Sequence, residues 1–289
     1  MSRTSLSLLN SMAGRDFSES LERQAEWGIG QLDLKDCIFG KNIAELTDAE
    51  AQRAAELIAA RGLSVYCLSS SVFASAVEAG RETFLARHEP ALARVLSVAR
   101  VLKPTYIRLI SAQTTRRAEI GNSASYLKEH HPWVFDAYRG AIDRIAEAGF
   151  KTVIENEVEQ QILVNAREIR DFFAILARPE TVRFTWDLAN SWQAGAFPTL
   201  ADYRELKPII GYIHVKGGRS DGASKTLKFA SSLEHAGWPV REILTEAVRD
   251  GVSPICLNPP HGSPRPGDDL SGLTERDLAF MRKLIAEVS

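Results

Sequence analysis

Three strand-like segments in the second half of the chain each end in a side chain that can bind a metal ion. The segment KTVIENE contains Glu155, RFTWDLAN contains Asp187 and GYIHVKGG contains His214. Successive members are separated by roughly 30 residues, the length of one strand–helix–strand unit. The spacing therefore predicts neighbouring parallel strands that present two carboxylates and an imidazole at one sheet edge. This set of donors is typical of a divalent-metal site.

Each of these side chains also has an interpretation that involves no metal. Glu155 could form a salt bridge with Lys216 or Arg108, or could act as a base beside a carbonyl group. Asp187 follows an apolar run, and because an unpaired buried acid is costly, either a metal or a cationic side chain is expected beside it. A lone strand histidine such as His214 is commonly a hydrogen-bonded core residue, although neutral imidazole also binds zinc and other first-row metals.

A further strand-like segment, SPICLNPPHG, places Asn258 where another anionic ligand is expected. The amide can offer a carbonyl oxygen to a hard cation, but it adds no charge and cannot act as a general base. His261, beyond two prolines, is a candidate fourth ligand or general acid/base, or else a loop histidine near the surface. Glu157 shares a strand face with Glu155, because side chains alternate along a strand, and either supports the site or is solvated.

Candidate substrate-binding residues lie on these strands or just after them. Lys216, also a candidate catalytic residue, and Arg219 could hold an oxyanion or a phosphate, or could balance the acids. Asn190 could contact a substrate or cap a helix or turn. Trp186 offers an aromatic wall that suits a sugar ring, with packing as the alternative. Arg108, in the segment TYIRLIS, is the remaining candidate contact.

Strand-like and helical patterns alternate along the whole chain. Alternating strand–helix units imply a parallel sheet, and eight of them in a chain of this length predict a closed (β/α)8 TIM barrel that forms a single domain over residues 1–289. Three long polar segments, 111–125, 217–225 and 258–272, each follow a strand, so they would lie at the barrel face where active sites form. The predicted strands cover residues 5–10, 27–34, 63–73, 105–111, 151–157, 182–190, 211–218 and 253–258.

Local signals support the element assignments. Thr47 followed by Glu50 has the pattern of a capping box at the start of a helix, and Gly62 is expected to end that helix. Gly28 and Gly30 lie inside the predicted second strand and do not lead into a helix. They are therefore not the fingerprint of a dinucleotide-binding fold.

The composition excludes several classes of function. Of the 289 residues, 45% are hydrophobic and 25% are charged, which is ordinary for a globular protein with a large core. The net charge of −2 argues against a nucleic-acid-binding surface. No apolar run approaches the roughly 18 to 20 residues that span a bilayer, and the N-terminus is predicted to be a strand rather than a secretory signal. Three widely separated cysteines indicate no disulfide framework, so a reduced cytoplasmic setting is expected.

The order of Glu155, Asp187 and His214 on predicted strands five, six and seven resembles the xylose isomerase-like TIM barrel superfamily. This superfamily includes sugar phosphate isomerases and epimerases, ketose 3-epimerases, hydroxypyruvate isomerases, inosose dehydratases and endonuclease IV. The motifs that carry the resemblance are I-E-N-E, W-D-L-A-N and I-H-V-K, with weaker support from G-I-G-Q-L-D-L, where Asp33 stands at an acidic position of the family. The order of units is similar over nearly the whole chain.

The resemblance implies a metal site with ligands Glu, Asp, His and Glu from strands five to eight. Glu155, Asp187 and His214 match the first three, and the chain departs from the pattern with Asn258 at the fourth. Gly217 also stands where the family often has Asp. Because the first and fourth glutamates are the paired bases of the epimerases, a one-base reaction is expected here. In it the metal polarises a hydroxyketone, Glu155 carries the proton, and Lys216 or His261 takes part.

The resemblance thus implies a divalent-metal-dependent isomerase or epimerase of a small sugar, sugar phosphate or polyol, acting through an enediolate. Mn, Mg, Zn or Co would serve as the metal, and the expected partners are the small-molecule substrate and further copies of the chain in a homo-oligomer. Two alternatives stay open: a lyase or dehydratase of a keto-polyol, and a metal-free ligand-binding barrel. Endonuclease IV activity is not expected, because the chain has only six histidines for a histidine-rich zinc cluster.

Overall fold

Eight parallel strands close into a barrel in the computed structural model of the chain, as predicted. The structure describes residues 4–158, 160–220, 227–260, 262–265, 267–268 and 272–288. Each strand pairs in parallel with the next, and β8 returns to pair with β1. The strands are β1 (Leu6–Leu9), β2 (Gln31–Leu34), β3 (Ser64–Ser69), β4 (Tyr106–Ile110), β5 (Lys151–Glu155), β6 (Val182–Asp187), β7 (Ile210–Val215) and β8 (Ile255–Leu257).

Helices connect the strands and cover the outside of the barrel. A continuous apolar core fills the space between the strands and the helices, because a parallel sheet must be covered on its outer face. The helices are α1 (Phe17–Glu26), α2 (Asp48–Ala59), α3 (Arg81–Leu102), α4 (Ser123–His130), α5 (Trp133–Glu147), α6 (Ala166–Leu176), α7 (Leu188–Gln193), α8 (Leu200–Leu206), α9 (Val240–Arg249) and α10 (Leu273–Val288).

The predicted helix start at Thr47 is confirmed. The Thr47 side chain accepts a hydrogen bond from the Glu50 backbone N–H, and the Glu50 carboxylate accepts one from the Thr47 backbone N–H at 2.8 Å. This reciprocal arrangement satisfies two helix donors that have no intrahelical partner. Gly62 follows α2 with a φ of +66°, which a glycine adopts without strain.

Several predicted boundaries were wrong, including the ends of the third and sixth strands, which stop at Ser69 and Asp187. The second strand begins at Gln31 rather than at residue 27, because α1 extends to Glu26 and Gly28, with a φ of +66°, turns the chain before the strand. The predicted loop 111–125 contains the start of α4, whose first turn is capped by the Asn122 side chain accepting from the Ser125 N–H at 3.0 Å.

Within the described part of the chain, no helix has both the length and the apolar character that crossing a membrane requires.

Candidate metal centre and active site

The ends of β5, β6 and β7 bring three potential ligands together. Glu155 and Asp187 are the last residues of β5 and β6, and Asp187 is paired in register with His214 of β7. All three side chains are buried, and one donor atom from each lies within 4.8 Å of the others. Divalent cations bind oxygen and nitrogen donors at about 2.0 to 2.6 Å. One ion can therefore reach all three atoms, and the donor set fits a divalent metal.

Asp33 of β2 orients the imidazole of this set. The Asp33 Oδ2 atom lies 3.1 Å from His214 Nε2, and Glu155 Oε1 lies 2.9 Å from His214 Nδ1. A carboxylate on one ring nitrogen commonly fixes the tautomer of a metal-binding histidine and leaves the other nitrogen for the metal. Asp33 thus holds the ring with Nδ1 facing Glu155.

Asn258 also reaches this ring nitrogen. Its backbone N–H donates to the Val215 carbonyl at 2.9 Å, which fixes it beside β7, and its side-chain Nδ2 lies 2.9 Å from His214 Nδ1. The amide therefore borders the three ligands, and a rotation of its terminal group would present Oδ1 to a cation. His261, the other candidate on this segment, lies outside the described residues.

Arg108 of β4 forms a buried ion pair with Glu155, which sequence reasoning included only as an alternative. Its Nη1 contacts Glu155 Oε2, and its Nη2 donates to the Ser69 and Ser70 carbonyls at 3.1 and 3.2 Å. The side chain is 2% exposed. The guanidinium is enclosed and bonded to protein atoms, and contact between Arg108 and a substrate stays a prediction.

Lys216 forms the second buried ion pair of the site. Its Nζ lies 2.8 Å from Asp187 Oδ2 and donates to Asn190 Oδ1 at 2.9 Å. Asn190 also donates through Nδ2 to the Asn156 carbonyl, and its backbone N–H donates to Asp187 Oδ1 at 2.9 Å. Asp187 therefore caps α7, and Asn190 positions Lys216 rather than presenting a free amide to substrate.

Trp186 lies outside the barrel, contrary to its predicted role as a substrate-contacting wall. The ring stacks on Tyr203 of α8 with centroids 6.3 Å apart, and Nε1 donates to Ser191 Oγ at 3.1 Å. Because neighbouring side chains of a strand point to opposite faces, Trp186 must face away from the side that Asp187 faces. Trp186 is a packing residue.

Asn156 is a part of the site that sequence reasoning did not single out. Its Oδ1 accepts from the Asp187 N–H at 2.9 Å, and its Nδ2 donates to the Asp187 carbonyl and to Ser191 Oγ. This buried amide ties the end of β5 to the end of β6. The sequence signal that could have identified Asn156 is its place between two glutamates in the I-E-N-E motif.

Burial and charge shift the pKa values of the site in different directions. Burial alone would raise the pKa of Glu155, but Arg108 and His214 outweigh it and hold that pKa below its ordinary range. Burial would lower the pKa of His214, but the charges and hydrogen bonds of Glu155 and Asp33 raise it to about 9. Burial, reinforced by the charge of Glu155, raises the pKa of Glu157. The two glutamates of β5 and its continuation thus differ in proton affinity.

Glu157 lines a small opening beside the buried cluster. The cavity has a volume of about 200 Å³. Its lining combines one carboxylate and one ammonium group with polar and apolar side chains, so a small polar molecule in it would contact Glu157. The lining residues are Lys35, Ser71, Ala74, Ile110, Gln113, Glu157, Val158 and Gln161.

A second cavity, of about 280 Å³, lies among the segments that follow β7 and β8. Arg219, another predicted substrate contact, borders it and pairs with Asp268 at 2.6 Å. The cavity reaches the first turn of α10, and its lining is rich in cationic and hydroxyl side chains. The lining residues are Arg219, Ser231, Ser232, His235, Gly267, Asp268, Leu273 and Arg276.

A larger cavity, of about 1060 Å³, lies at the opposite end of the barrel. It is bordered by Gly30 and Gln31 at the start of β2 and by Gly251 before β8. Active sites of TIM barrels form at the other end, where the strands finish. The buried ligand cluster and its small opening are therefore the better candidate site despite their smaller volume.

Comparisons with known proteins agree with this fold. A family profile described as "Xylose isomerase-like TIM barrel" matches residues 21–284. The chain is similar to the solved structure of D-psicose 3-epimerase with D-tagatose from Clostridium cellulolyticum H10, with 13% identity and a TM-score of 0.72 over 98% of this chain and 99% of that one. It is similar to the probable 3-DHS dehydratase AsbF from Bacillus anthracis, with 15% identity and a TM-score of 0.70 over 97% of this chain and 98% of that one. It is also similar to a xylose isomerase-like TIM barrel protein from Mycobacterium smegmatis in complex with magnesium, with 16% identity and a TM-score of 0.68 over 99% of this chain and 98% of that one. No curated protein matches the chain in sequence.

Proposed function

This chain belongs to the xylose isomerase-like TIM barrel family, and we propose that it is a divalent-metal-dependent enzyme that isomerises a small sugar or polyol derivative by moving a proton beside a carbonyl group. The observation that carries the proposal is the convergence of Glu155, Asp187 and His214 within 4.8 Å at the barrel mouth. A metal held there would act as a Lewis acid on the substrate oxygens.

The side chains around the cluster support a one-base reaction. Both Glu155 oxygens have cationic or imidazole partners, so this carboxylate is poorly suited to exchange protons. Glu157 has a raised pKa and lines the opening. We assign it the base that takes a proton from carbon and returns it to the neighbouring carbon, while the hydroxyl proton of the substrate moves to the former carbonyl oxygen. The Lys216 ammonium can donate a hydrogen bond to the oxyanion that develops during this transfer.

Asn258 favours isomerisation over epimerisation. Epimerisation needs a proton donor and a proton acceptor on opposite faces of one carbon, and an amide at position 258 can do neither at neutral pH. A single base on one face suffices to transfer a proton between adjacent carbons. We therefore place aldose–ketose type isomerisation ahead of epimerisation for this chain.

A dehydratase is the second candidate, and the same one-base arrangement favours it. Glu157 would take the proton from the carbon beside the carbonyl, and a hydroxyl would leave from the next carbon after gaining a proton. The similarity to the probable 3-DHS dehydratase AsbF adds support. Analysis of the products separates the candidates, since only the dehydratase releases water and forms a carbon–carbon double bond.

The metal requirement is open to a direct test. Protein treated with a chelator is expected to bind a divalent metal when one is added back. After removal of the metal, Mn²⁺ at a hundred times its dissociation constant should stabilise the fold by about 2.7 kcal/mol, a rise in melting temperature of roughly 5 to 10 °C. The Asp187→Asn variant, which removes one anionic ligand, should show a smaller rise. The metal-free barrel, favoured by the two internal ion pairs, is the correct reading if no metal co-purifies and neither Mn²⁺ nor Zn²⁺ shifts the melting temperature.

The substrate class that fits the second cavity is a phosphate ester. TIM barrels often bind phosphate with the segments after strands seven and eight and a nearby helix N-terminus. Arg219 and Arg276 border the cavity together with His235, whose Nδ1 lies 3.1 Å from the hydroxyl of Ser232. Arg219 follows Lys216 by three residues, so their Cα atoms are at most about 11 Å apart. A separation within this limit suits a small sugar that carries its phosphate away from the reacting carbons.

Replacing Arg276 by glutamine tests the phosphate assignment. The change should raise the KM for an aldose phosphate roughly 10- to 100-fold, the value of one charge-assisted hydrogen bond, and leave the KM for the matching unphosphorylated sugar within about twofold. Arg241→Gln, at an exposed ion pair with Glu287 on the outer surface, is the matched control. If Arg276→Gln raised the KM equally for the phosphorylated and the unphosphorylated sugar, this cavity would not be the phosphate site.

A further inference from the structure

We infer that Arg108 is an internal cation that competes with the metal for Glu155, so that the wild-type chain binds its divalent metal weakly and exchangeably. The inference rests on the proposed metal dependence and concerns the affinity of that same site. Neither the family match nor the similar structures assign a role to Arg108.

Arg108 is fixed in place by protein atoms on both sides. Its Nε and Nη2 donate to the Ser70 carbonyl at 3.3 and 3.2 Å, its Nη2 donates to the Ser69 carbonyl, and its Nη1 contacts Glu155 Oε2. The Ser70 hydroxyl in turn donates to the Arg108 carbonyl at 2.6 Å. A guanidinium held by three groups cannot retreat to solvent when a metal arrives, so both cations would share the carboxylate of Glu155.

The charges of the buried cluster leave little need for a metal. Asp33, Glu155 and Asp187 contribute three negative charges, and Arg108 and Lys216 contribute two positive charges, all on side chains at most 4% exposed. A metal-bound imidazole is neutral, so in the metal-bound state the side chains sum to −1 and the divalent ion makes the total +1. Without the Arg108 charge the sum would be −2, which a divalent ion balances.

The rim of the opening does not alter this balance. Glu157 and Lys35 both border the cavity, and their charges oppose each other. A surplus of positive charge inside a low-dielectric barrel is unfavourable, because water screens it poorly there. Asn258 borders the ligands but contributes no charge to offset Arg108. Arg108 and Asn258 together thus set the metal affinity of the site.

Two substitutions test the inference by different routes, with Mn²⁺ as the probe. Arg108→Gln removes the competing charge, and Asn258→Glu adds an anionic ligand and leaves Arg108 in place. Each should lower the dissociation constant for Mn²⁺ at least about tenfold, measured by isothermal titration calorimetry. The melting temperature of Arg108→Gln should be lower than wild type in EDTA and should rise more on adding Mn²⁺, because the metal becomes the partner of Glu155.

Arg117→Gln is the matched control. Arg117 pairs with Glu168, which is 1% exposed, at 2.8 Å, and its other contacts are the Ile120 and Gln161 carbonyls rather than any of the metal ligands. This control should be destabilised without gaining affinity for Mn²⁺. If Arg108→Gln binds Mn²⁺ no more tightly than wild type, the inference is overturned. If Arg108→Gln does not fold, the Mn²⁺ affinity of Asn258→Glu is the test, and an affinity no higher than that of wild type overturns the inference. Failure of the proposed function appears differently, as an absence of turnover or of metal dependence in the wild type while the variants still gain affinity.

Discussion

Replacing Lys216 by methionine is expected to lower the free energy of unfolding by about 3 to 5 kcal/mol in the presence of EDTA. The ammonium lies 2.8 Å from Asp187 Oδ2, and both side chains are at most 4% exposed. Methionine fills similar space but leaves the Asp187 carboxylate buried without a cation. The melting temperature should fall by on the order of 10 °C. Urea titration followed by circular dichroism measures the free energy directly.

Two further variants separate the loss of a buried charge from other effects of the substitution. Lys207→Met breaks the more exposed ion pair with Asp250, where Lys207 is 51% exposed, and should cost less than about 1 kcal/mol. Adding Asp187→Asn to Lys216→Met should recover much of the loss, because removing both partners leaves no unpaired charge. If Lys216→Met were no more destabilising than Lys207→Met, the ion pair with Asp187 would not be a significant part of the fold's stability.

The barrel could be predicted from the sequence because its signals are local. Each strand is a short run of apolar residues, and each helix carries a periodic apolar face, so the alternation is visible without knowledge of contacts. The capping box at Thr47 is equally local. Element boundaries were harder, and the second strand was predicted too long, because an apolar run before it (Trp27–Ile29) also suits a turn that packs on the core.

The ligand cluster could be located from the sequence, but its ion pairs could not. Strand order places Glu155, Asp187 and His214 at one edge, which is a topological consequence of parallel strands. The choice between metal, Arg108 and Lys216 as their partners depends on side-chain conformations and on residues from several strands.

Alternation along a strand contained more information than the sequence interpretation used. Trp186 precedes Asp187 directly, so a period of two residues already places the two side chains on opposite faces. The same rule, extended two residues past the end of β5, predicts Glu157 on the face of Glu155, in agreement with its place at the opening. The structure makes this distinction clear, since Trp186 stacks on Tyr203 of a covering helix while Glu157 borders the opening.

Replacing Glu157 by glutamine is expected to reduce turnover by about 10² to 10⁴-fold, the usual contribution of a positioned general base. Glutamine keeps the shape and hydrogen-bonding capacity of the side chain but cannot accept the proton from carbon. Because Glu157 is partly exposed and outside the buried ion pairs, the fold and the Mn²⁺ affinity should change little. Exchange of the carbon-bound substrate proton with D₂O, followed by NMR, reports the transfer step itself.

The exchange activity of Glu157→Gln also decides which glutamate of the I-E-N-E motif is the base. If Glu155 carried the proton, as the sequence resemblance implies, Glu157→Gln would retain most of the exchange activity, and Glu155→Gln would lose it together with metal affinity. The structure favours the other assignment, because Arg108 and His214 engage both oxygens of Glu155. Glu147→Gln, at the exposed end of α5 on the far side of the barrel, should leave exchange unchanged. A loss of exchange in Glu157→Gln with unaltered Mn²⁺ binding would separate the proton carrier from the metal ligand.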